Sequence, residues 1–215
     1  MRTITFVTQK GGSGKTTLAT NCAVAAERSG LKTLLLDLDP QGTAEAWYQD
    51  RESETPRLAR VSGAELIKAI SHAEQSGFDL IIIDTPGRDE PLTASAIRIA
   101  DFCIVPCRPT PADMKATPPT VATITRLSKP AAFVLTQAPP RGERLREAEV
   151  GLSMLGIVCP VRIVSRNVYQ DAHGIGLGVQ EFDAEGKAAE EITALWQWIK
   201  RKMEKLTHDQ KTHVA

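Results

Sequence analysis

The sequence predicts an α/β domain in which a mainly parallel, twisted sheet carries helices on both faces. Short, wholly apolar runs alternate with segments of helical periodicity, as they do when each buried strand is followed by a crossover helix. A glycine-rich loop joins the first strand to the first helix, and two later strands deliver aspartates at their carboxyl ends. In open parallel sheets those ends form one ligand-binding edge, so we expect the loop and the aspartates to meet there.

The predicted strands and helices follow one another in a regular order. Strands are expected at about residues 4–7, 32–36, 58–61, 80–83, 102–106, 131–136 and 158–164. Helices are expected at about residues 18–28, 43–50, 62–75, 90–100, 113–127, 145–155 and 187–206, with a loop at 167–178. Glycines at 30 and 77 mark two helix ends. We predict one domain over residues 1–206 and a polar tail over residues 207–215.

The composition is that of an ordinary globular protein. Of the 215 residues, 42% are hydrophobic and 24% charged, and the formal net charge is zero, so any nucleic-acid surface must be a local patch. The apolar runs are too short to span a bilayer and the amino terminus has no secretion signal, so we expect a cytoplasmic protein. The four scattered cysteines are interpreted as buried, reduced thiols: Cys22, Cys103, Cys107 and Cys159.

The stretch from Thr8 to Thr17 has the residues of a phosphate-binding loop. Its glycines can take positive φ and lack a Cβ, so successive backbone N–H groups can turn toward one anion in front of the helix N-terminus. In such a loop Lys15 reaches the β- and γ-phosphates, and the Thr16 hydroxyl coordinates Mg²⁺. The residues expected to bind the nucleotide here are Gly11, Gly12, Ser13, Gly14, Lys15, Thr16 and Thr17.

The loop departs from the standard pattern G-x-x-x-x-G-K-[ST] at one position. Gln9 stands where that pattern has its first glycine, and a second lysine, Lys10, precedes the two glycines. A loop lysine is usually only solvated, but this one lies beside the predicted triphosphate site. We therefore assign Lys10 a functional role in addition to that of Lys15.

Aspartates follow two of the apolar strands. Asp37 and Asp39 lie in D-L-D-P-Q-G after the second strand, and Asp84 ends the strand that begins at Leu80. A strand-ending aspartate can hold Mg²⁺ through water, and Gly87 just beyond can offer its N–H to the γ-phosphate. A turn or a cap would explain each aspartate alone, but three phosphate-site motifs in this order favour a nucleotide site.

One further residue is a candidate for the same edge of the sheet. Gln137 directly follows the predicted sixth strand, where it is placed to contact adenine. The run from Gln137 to Gly142 would equally form a plain turn, and the sequence does not choose between the two.

Three of these stretches resemble one family. Residues 10–17, K-G-G-S-G-K-T-T, resemble the deviant Walker A box of the ParA/MinD class of P-loop ATPases, and residues 37–42 resemble the switch I box of ParA proteins. Residues 79–87 are similar to the family's Walker B and switch II segment. The resemblance covers nearly the whole chain and is weakest in its C-terminal third. It implies a P-loop NTPase fold of the deviant Walker A type with ATP and Mg²⁺ as cofactors.

The resemblance also implies roles for individual residues. Lys10 matches the lysine that reaches across a nucleotide-sandwich dimer to the phosphates held by the other subunit, and Lys15 matches the ordinary phosphate-loop lysine. Asp39 matches the aspartate that orients the attacking water, and Asp37 the one that supports the metal's water shell. With Thr16 and Asp84, Asp37 completes the implied metal site.

The implied function is that of a small ParA-type ATPase. Such a protein dimerises around two ATP·Mg²⁺, binds non-specific DNA of the nucleoid, and is released when a ParB-like or cargo-adaptor protein stimulates its otherwise weak Mg-dependent ATP hydrolysis. Cycles of this kind position plasmids, chromosomes or protein cargo. Two alternatives stay open: a MinD-like membrane-associated positioning ATPase, and a metabolic relative that would need a cluster-binding cysteine pair such as Cys103 with Cys107.

Basic residues and the last helix bear on the choice between DNA and membrane. The predicted helix 187–206 has an apolar stripe at spacings of three and four, which we expect to pack on the sheet and not on a bilayer. No stable membrane association is therefore expected. The basic residues proposed to contact DNA are Arg141, Arg144, Arg146, Arg162, Arg166, Lys200, Arg201, Lys202 and Lys205.

Overall fold

A computed structural model describes residues 1–88 and 90–212, and it describes side chains throughout these ranges except at residues 90 and 207–212. Seven parallel strands form one sheet in the order β3-β2-β4-β1-β5-β6-β7. The strands are β1 Arg2–Phe6, β2 Thr33–Asp37, β3 Arg57–Arg60, β4 Leu80–Asp84, β5 Phe102–Cys107, β6 Ala131–Leu135 and β7 Ile157–Val158. The predicted fold class, a parallel sheet with helices on both faces, is confirmed.

Nine helices accompany the sheet in the described part of the chain. They are α1 Lys15–Arg28, α2 Thr43–Gln49, α3 Leu66–Gln75, α4 Glu90–Ile99, α5 Pro111–Arg126, α6 Glu143–Ser153, α7 Val168–His173, α8 Val179–Phe182 and α9 Lys187–Thr212. Each of the seven predicted helices is present, several with ends shifted by a few residues. The segment predicted as a loop at 167–178 contains α7. This segment has no apolar periodicity from which a helix could be predicted.

The central strands are buried on both faces, which is why they are apolar without alternation. In β4, Ile82 faces a cluster formed with α1 and α9, whereas Ile81 and Ile83 face a second cluster with α3 and α4. A third cluster lies between β5, β6, α5 and α6. These layers hold the carboxyl ends of β1, β2, β4 and β6 together at one edge.

The last predicted strand is wrong in its extent. The sequence predicts a strand over residues 158–164, but β7 is only Ile157–Val158, with one isolated bridge between Ala138 and Val164. Pro160 has no N–H to donate, so a continuous ladder cannot form there.

Helix α9 packs on the sheet as expected. Of the six residues in its apolar stripe, Leu206 is partly buried against the core and the other five are buried: Ile192, Leu195, Trp196, Ile199 and Met203. The Trp196 indole Nε1 donates to Ser29 Oγ at 3.1 Å. The helix continues to Thr212, so helical backbone extends into the first residues of the predicted tail, while residues 213–215 lie outside the described part. The division between domain and tail stays a prediction.

Within the described residues, we find no helix with the length and apolarity that crossing a bilayer requires.

Candidate functional site

The loop between β1 and α1 has the shape that its glycines predict. Gly12 has φ +71° and Gly14 has φ +94°, both in the left-handed region, and Gly14 directly precedes α1. Two side chains from the end of β6 hold the loop in place: Thr136 Oγ1 donates to the Ser13 carbonyl at 2.6 Å, and Gln137 Nε2 donates to the Gly12 carbonyl at 2.9 Å. The loop is thus held to the sheet edge as well as to α1.

A cleft of about 630 Å³ opens in front of this loop at the carboxyl edge of the sheet. It gathers every residue that the sequence proposes for nucleotide binding, together with Asp39 from the end of β2. The lining residues are Gly11, Gly12, Ser13, Gly14, Lys15, Thr16, Thr17, Asp39, Pro40, Gln41, Thr43, Pro86, Gly87, Arg88 and Gln137. Its size suits a small-molecule ligand, and its lining is rich in backbone N–H groups and hydroxyls.

Lys15 is the cation at the base of this cleft. Its side chain is buried, and its Nζ donates to the Lys10 carbonyl at 3.3 Å. Burial lowers the pKa of the Lys15 ammonium, and the nearby carboxylates of Asp84 and Asp39 oppose that shift. A desolvated cation held in this way is placed to bind a polyanion.

Asp84 is fully buried beside Lys15, and one of its carboxylate oxygens lacks a hydrogen-bond partner among the described residues. Thr16 Oγ1 donates to its Oδ2 at 2.6 Å, whereas its Oδ1 has no hydrogen-bond partner among the described residues. Burial raises the pKa of this carboxyl to about 7, against the lowering effect of the Thr16 hydrogen bond. A carboxylate oxygen without a partner next to a threonine hydroxyl fits Mg²⁺, which takes few protein ligands and keeps several waters. The described residues contain no group of three or more His, Cys, Asp or Glu that could hold a metal ion.

Asp37 and Asp39 occupy different places, although they are two residues apart. Asp37 is fully buried, and its two oxygens accept the backbone N–H groups of Asp39 at 2.9 Å and Glu45 at 3.0 Å. Asp37 does not line the cleft, so in this structure it organises the backbone around Asp39. Asp39 is half-buried, faces the cleft and accepts the Gln41 N–H at 3.0 Å.

Gly87 brings the turn after β4 against the phosphate loop. A Cβ added at this position would lie 3.3 Å from the Gly11 nitrogen and 3.4 Å from its Cα, which is a tight contact with backbone atoms. Glycine therefore allows the two loops to approach each other. Donation of the Gly87 N–H to the γ-phosphate stays a prediction.

A smaller cavity of about 140 Å³ adjoins the cleft and shares Gly14, Thr17 and Gln137 with it. Sequence reasoning missed two of its polar lining residues, Tyr169 and Gln170, because they lie on α7. Glu191 of α9 organises this wall: it accepts from Arg166 Nη2 at 2.7 Å and from the Tyr169 hydroxyl at 3.1 Å. No local motif marks these residues. The end of β6, the short helix α7 and the start of α9 lie far apart in the sequence and meet only in the folded chain.

The nine basic residues proposed for DNA do not form one surface. Arg162 pairs with Glu149 at 2.7 Å and Arg166 with Glu191 at 2.7 Å, so both are engaged in ion pairs. Lys200 lies with Arg2 and Leu31 at the amino edge of the sheet, and the same end of α9 carries Arg201, Lys202 and Lys205. Arg141, Arg144 and Arg146 are exposed: Arg141 lies in the loop that follows Gln137, and Arg144 and Arg146 lie in the first turns of α6.

A glycine-rich loop that enters a helix from the first strand, faced by an aspartate at the end of a neighbouring strand, defines a P-loop nucleotide-binding protein. The description "CobQ/CobB/MinD/ParA nucleotide binding domain" matches residues 4–174. The chain belongs to this family, which confirms the resemblance to the ParA/MinD class of ATPases.

Individual relatives agree with the family assignment. Maintenance of carboxysome distribution protein A from Halothiobacillus neapolitanus is 30% identical over 203 residues, covering 90% of this chain and 94% of that protein. A Cyanothece McdA variant in complex with ATP superposes with a TM-score of 0.75 at 16% identity, covering 94% and 95% of the two chains. The septum site-determining protein MinD with Mg-ADP, from Pyrococcus horikoshii, gives 0.74 at 18% identity, covering 92% and 95%. The two structures show that the fold is shared.

Proposed function

We propose that this chain is a ParA-type positioning ATPase that binds ATP with Mg²⁺, forms a dimer with two nucleotides at the interface, and binds non-specific DNA in that state. ATP hydrolysis, which is weak in the protein alone and is stimulated by a partner, releases the protein from DNA. The family assignment supports nucleotide binding. The cleft with its buried Lys15, and the buried Asp84 that Thr16 of the cleft contacts, support a triphosphate with its metal.

The position of Lys10 is the observation that carries the dimer proposal. Lys15 lines the cleft of its own chain, whereas Lys10, five residues earlier, does not line that cleft. The Lys10 side chain is half-buried, and no carboxylate in the described part of the chain forms an ion pair with it. A cation at the rim of a phosphate site that does not enter its own cleft is available to a nucleotide held by a second copy.

In the proposed reaction the residues of this chain act mainly by position and charge. The phosphate loop donates its N–H groups to the phosphates, and Lys15 neutralises their charge. Thr16 and Asp84 would hold Mg²⁺, which supplies further neutralisation of the phosphate oxygens when it is bound. Asp39 accepts a hydrogen bond from water and so directs it at the γ-phosphate, in line with the leaving group.

The DNA surface in this proposal is the exposed set Arg141, Arg144 and Arg146. Arg141 lies four residues after Gln137, which lines the cleft, and we propose that a face-to-face dimer brings two such sets close together. The basic end of α9 stays at the opposite edge of each protomer. Because each neutralised phosphate adds a slope of about −0.9 in log K against log salt, pairing two sets steepens the salt dependence. ATP would then switch DNA affinity and place the protein on the nucleoid in the cytoplasm.

A relative that matches almost the whole chain bears on the class of cargo. That protein's name refers to the maintenance of carboxysome distribution. We propose a protein assembly or a DNA molecule as cargo, with a ParB-like or adaptor protein as the stimulating partner. The MinD-like alternative has less support, because the apolar stripe of α9 is buried in the core and offers no face to a bilayer. Cys103 and Cys107 are likewise buried in the core, which gives the cluster-binding alternative no exposed thiol pair.

The dimer proposal is tested with Lys10→Ala. We expect this variant to bind a non-hydrolysable ATP analogue normally but to remain monomeric in light scattering with that analogue and Mg²⁺. Lys68→Ala, on the exposed face of α3, is the matched control and should dimerise like the wild type. A Lys10→Ala protein that dimerises fully would refute the assigned role of this lysine.

The DNA proposal is tested with two triple variants in a filter-retention assay at several salt concentrations. Replacing Arg141, Arg144 and Arg146 by alanine should remove ATP-dependent DNA retention and flatten the salt slope. Replacing Lys200, Arg201 and Lys205 by alanine should change DNA retention and its salt slope little. The reverse pattern would move the surface to α9, and ATP-dependent sedimentation with anionic liposomes but not DNA would favour the MinD-like alternative.

A further inference from the structure

The segment between β2 and α2, residues 38–42, carries Asp39 and is held from two sides. From inside the sheet edge, the Asp37 carboxylate accepts the N–H groups of Asp39 and Glu45. From the outside, the segment meets Arg60, the last residue of β3. Asp37 and Arg60 are register partners in the sheet, so Arg60 stands at the point where β2 ends and this segment begins.

Arg60 makes two hydrogen bonds across the segment. Its Nη2 donates to the Pro40 carbonyl at 2.7 Å, directly after Asp39, and its Nη1 donates to Glu45 Oε2 at 2.9 Å, in the first turn of α2. Gly42 lies next to these two hydrogen bonds and has φ +64°. A Cβ added there would lie 3.1 Å from Glu45 Oε2 and 3.6 Å from Arg60 Nη1. One guanidinium thus spans the segment from its middle to the helix that follows.

The exposure of this pair argues against a role in overall stability. The Arg60 side chain is 46% exposed and that of Glu45 is 34% exposed. Ion pairs that are this exposed contribute little to the free energy of unfolding. A hydrogen bond to the carbonyl next to Asp39, in contrast, restricts where that carboxylate can lie.

We propose that Arg60 is a positioning residue that holds Asp39 at its place in the nucleotide cleft. Among the described residues the Asp39 carboxylate accepts only the Gln41 N–H, within its own loop, so its position depends on the backbone on either side. Without Arg60, Pro40 loses its tie to the sheet and the Asp39 carboxylate can move away from the γ-phosphate position. The inference rests on the proposed function, in which Asp39 directs the attacking water.

The kinetic consequence follows from how sensitive such positioning is. A misplacement of about 1 Å can lower a rate on the order of 100-fold, while ground-state binding is unaffected because Asp39 and Arg60 do not neutralise the phosphates. Arg60→Ala should therefore lower the rate of hydrolysis and leave nucleotide affinity as it is. A change confined to rate separates a positioning role from loss of the folded cleft.

The experiment is single-turnover ATP hydrolysis with labelled ATP and excess protein, beside the affinity for a non-hydrolysable analogue. We expect Arg60→Ala to lower the rate about tenfold or more with affinity within about twofold, and Arg60→Lys to restore part of the loss, because an ammonium can still reach one acceptor. Arg57→Ala is the matched control: it removes an exposed arginine of the same strand that pairs with Glu54 at 2.8 Å, and should be without effect. Hydrogen exchange should quicken over residues 38–45 in Arg60→Ala only.

Each outcome has a distinct meaning. If Arg60 acts through Asp39, adding Arg60→Ala to Asp39→Ala lowers the residual rate no further. An unchanged rate in Arg60→Ala, an equal loss in Arg57→Ala, or fully additive losses in the double variant would overturn the inference. If Asp39→Ala itself hydrolyses ATP normally, the proposed role of Asp39 fails instead.

Discussion

Replacing Asp84 by asparagine tests the electrostatics of the site without any ligand. The carboxyl is fully buried, and burial raises its pKa from 3.8 to about 7. As the pH rises from about 4 to 7, the unfolded chain ionises this group while the folded protein keeps it protonated, so the folded state loses stability. The loss is about 1.4 kcal/mol per pH unit in that window, about 4 kcal/mol in all, and is constant above pH 7.

Asparagine cannot ionise, so the variant does not carry this penalty, and its Oδ1 can still accept from Thr16. We expect the free energy of unfolding of Asp84→Asn minus that of wild type to be about 2–3 kcal/mol larger at pH 8 than at pH 5, so that the variant gains stability relative to wild type as the pH rises. The comparison between two pH values cancels the cost of burying the amide N–H₂, which is the same at both. The protein carries no nucleotide in this experiment, and EDTA is present.

The assay is urea unfolding followed by circular dichroism at both pH values. With ATP and Mg²⁺ added at pH 8, wild type should gain stability and Asp84→Asn should gain less, because one metal-facing carboxylate is missing. A relative stability that is the same at pH 5 and pH 8 would refute the reasoning, since it would mean that Asp84 is ionised equally in the folded and unfolded chains.

Three further predictions concern single side chains. Lys15→Ala should weaken ATP binding about 100-fold or more in calorimetry, because the buried counter-charge is lost; near-normal affinity would contradict its place in the site. Asp39→Ala should lower ATP turnover about 100-fold while the ATP dimer persists in light scattering, and a variant that still turns over freely would speak against it. Arg51→Ala should destabilise the fold by about 3–5 kcal/mol in urea unfolding, because this 1% exposed side chain makes two hydrogen bonds to Glu181, whereas the exposed Arg57→Ala should change it by less than about 1 kcal/mol.

Much of the cleft could be predicted because its parts are local. A phosphate loop is one continuous stretch whose glycines, lysine and threonine follow from the backbone it must adopt. The expected convergence of Asp39 and Asp84 needed only one further fact, that parallel strands end at a common edge. Accordingly the structure brings Lys15, Thr16, Asp39 and Gly87 together where the sequence predicts.

Other features could not be predicted because they depend on distant partners. Arg166 pairs with Glu191 in the wall of the smaller cavity, and this depends on the start of α9 lying next to Arg166 and Tyr169. The helix α7 has no apolar stripe of its own, since six residues bury only Tyr169 and Ala172. Its helical state is therefore decided by the neighbours that it packs against.

The amino-acid sequence by itself determined the fold class, the family and the phosphate loop, because wholly apolar strands and a contiguous glycine-rich turn constrain the backbone within a few residues. Only the tertiary structure decided which charges are free and which are engaged. Lys10 stays outside its own cleft, Asp37 turns both oxygens to backbone N–H groups, and Arg60 reaches across to Pro40. The reason is physical: the energy of a charged group depends on its burial and on partners far away in the chain, and both exist only once the layers have packed.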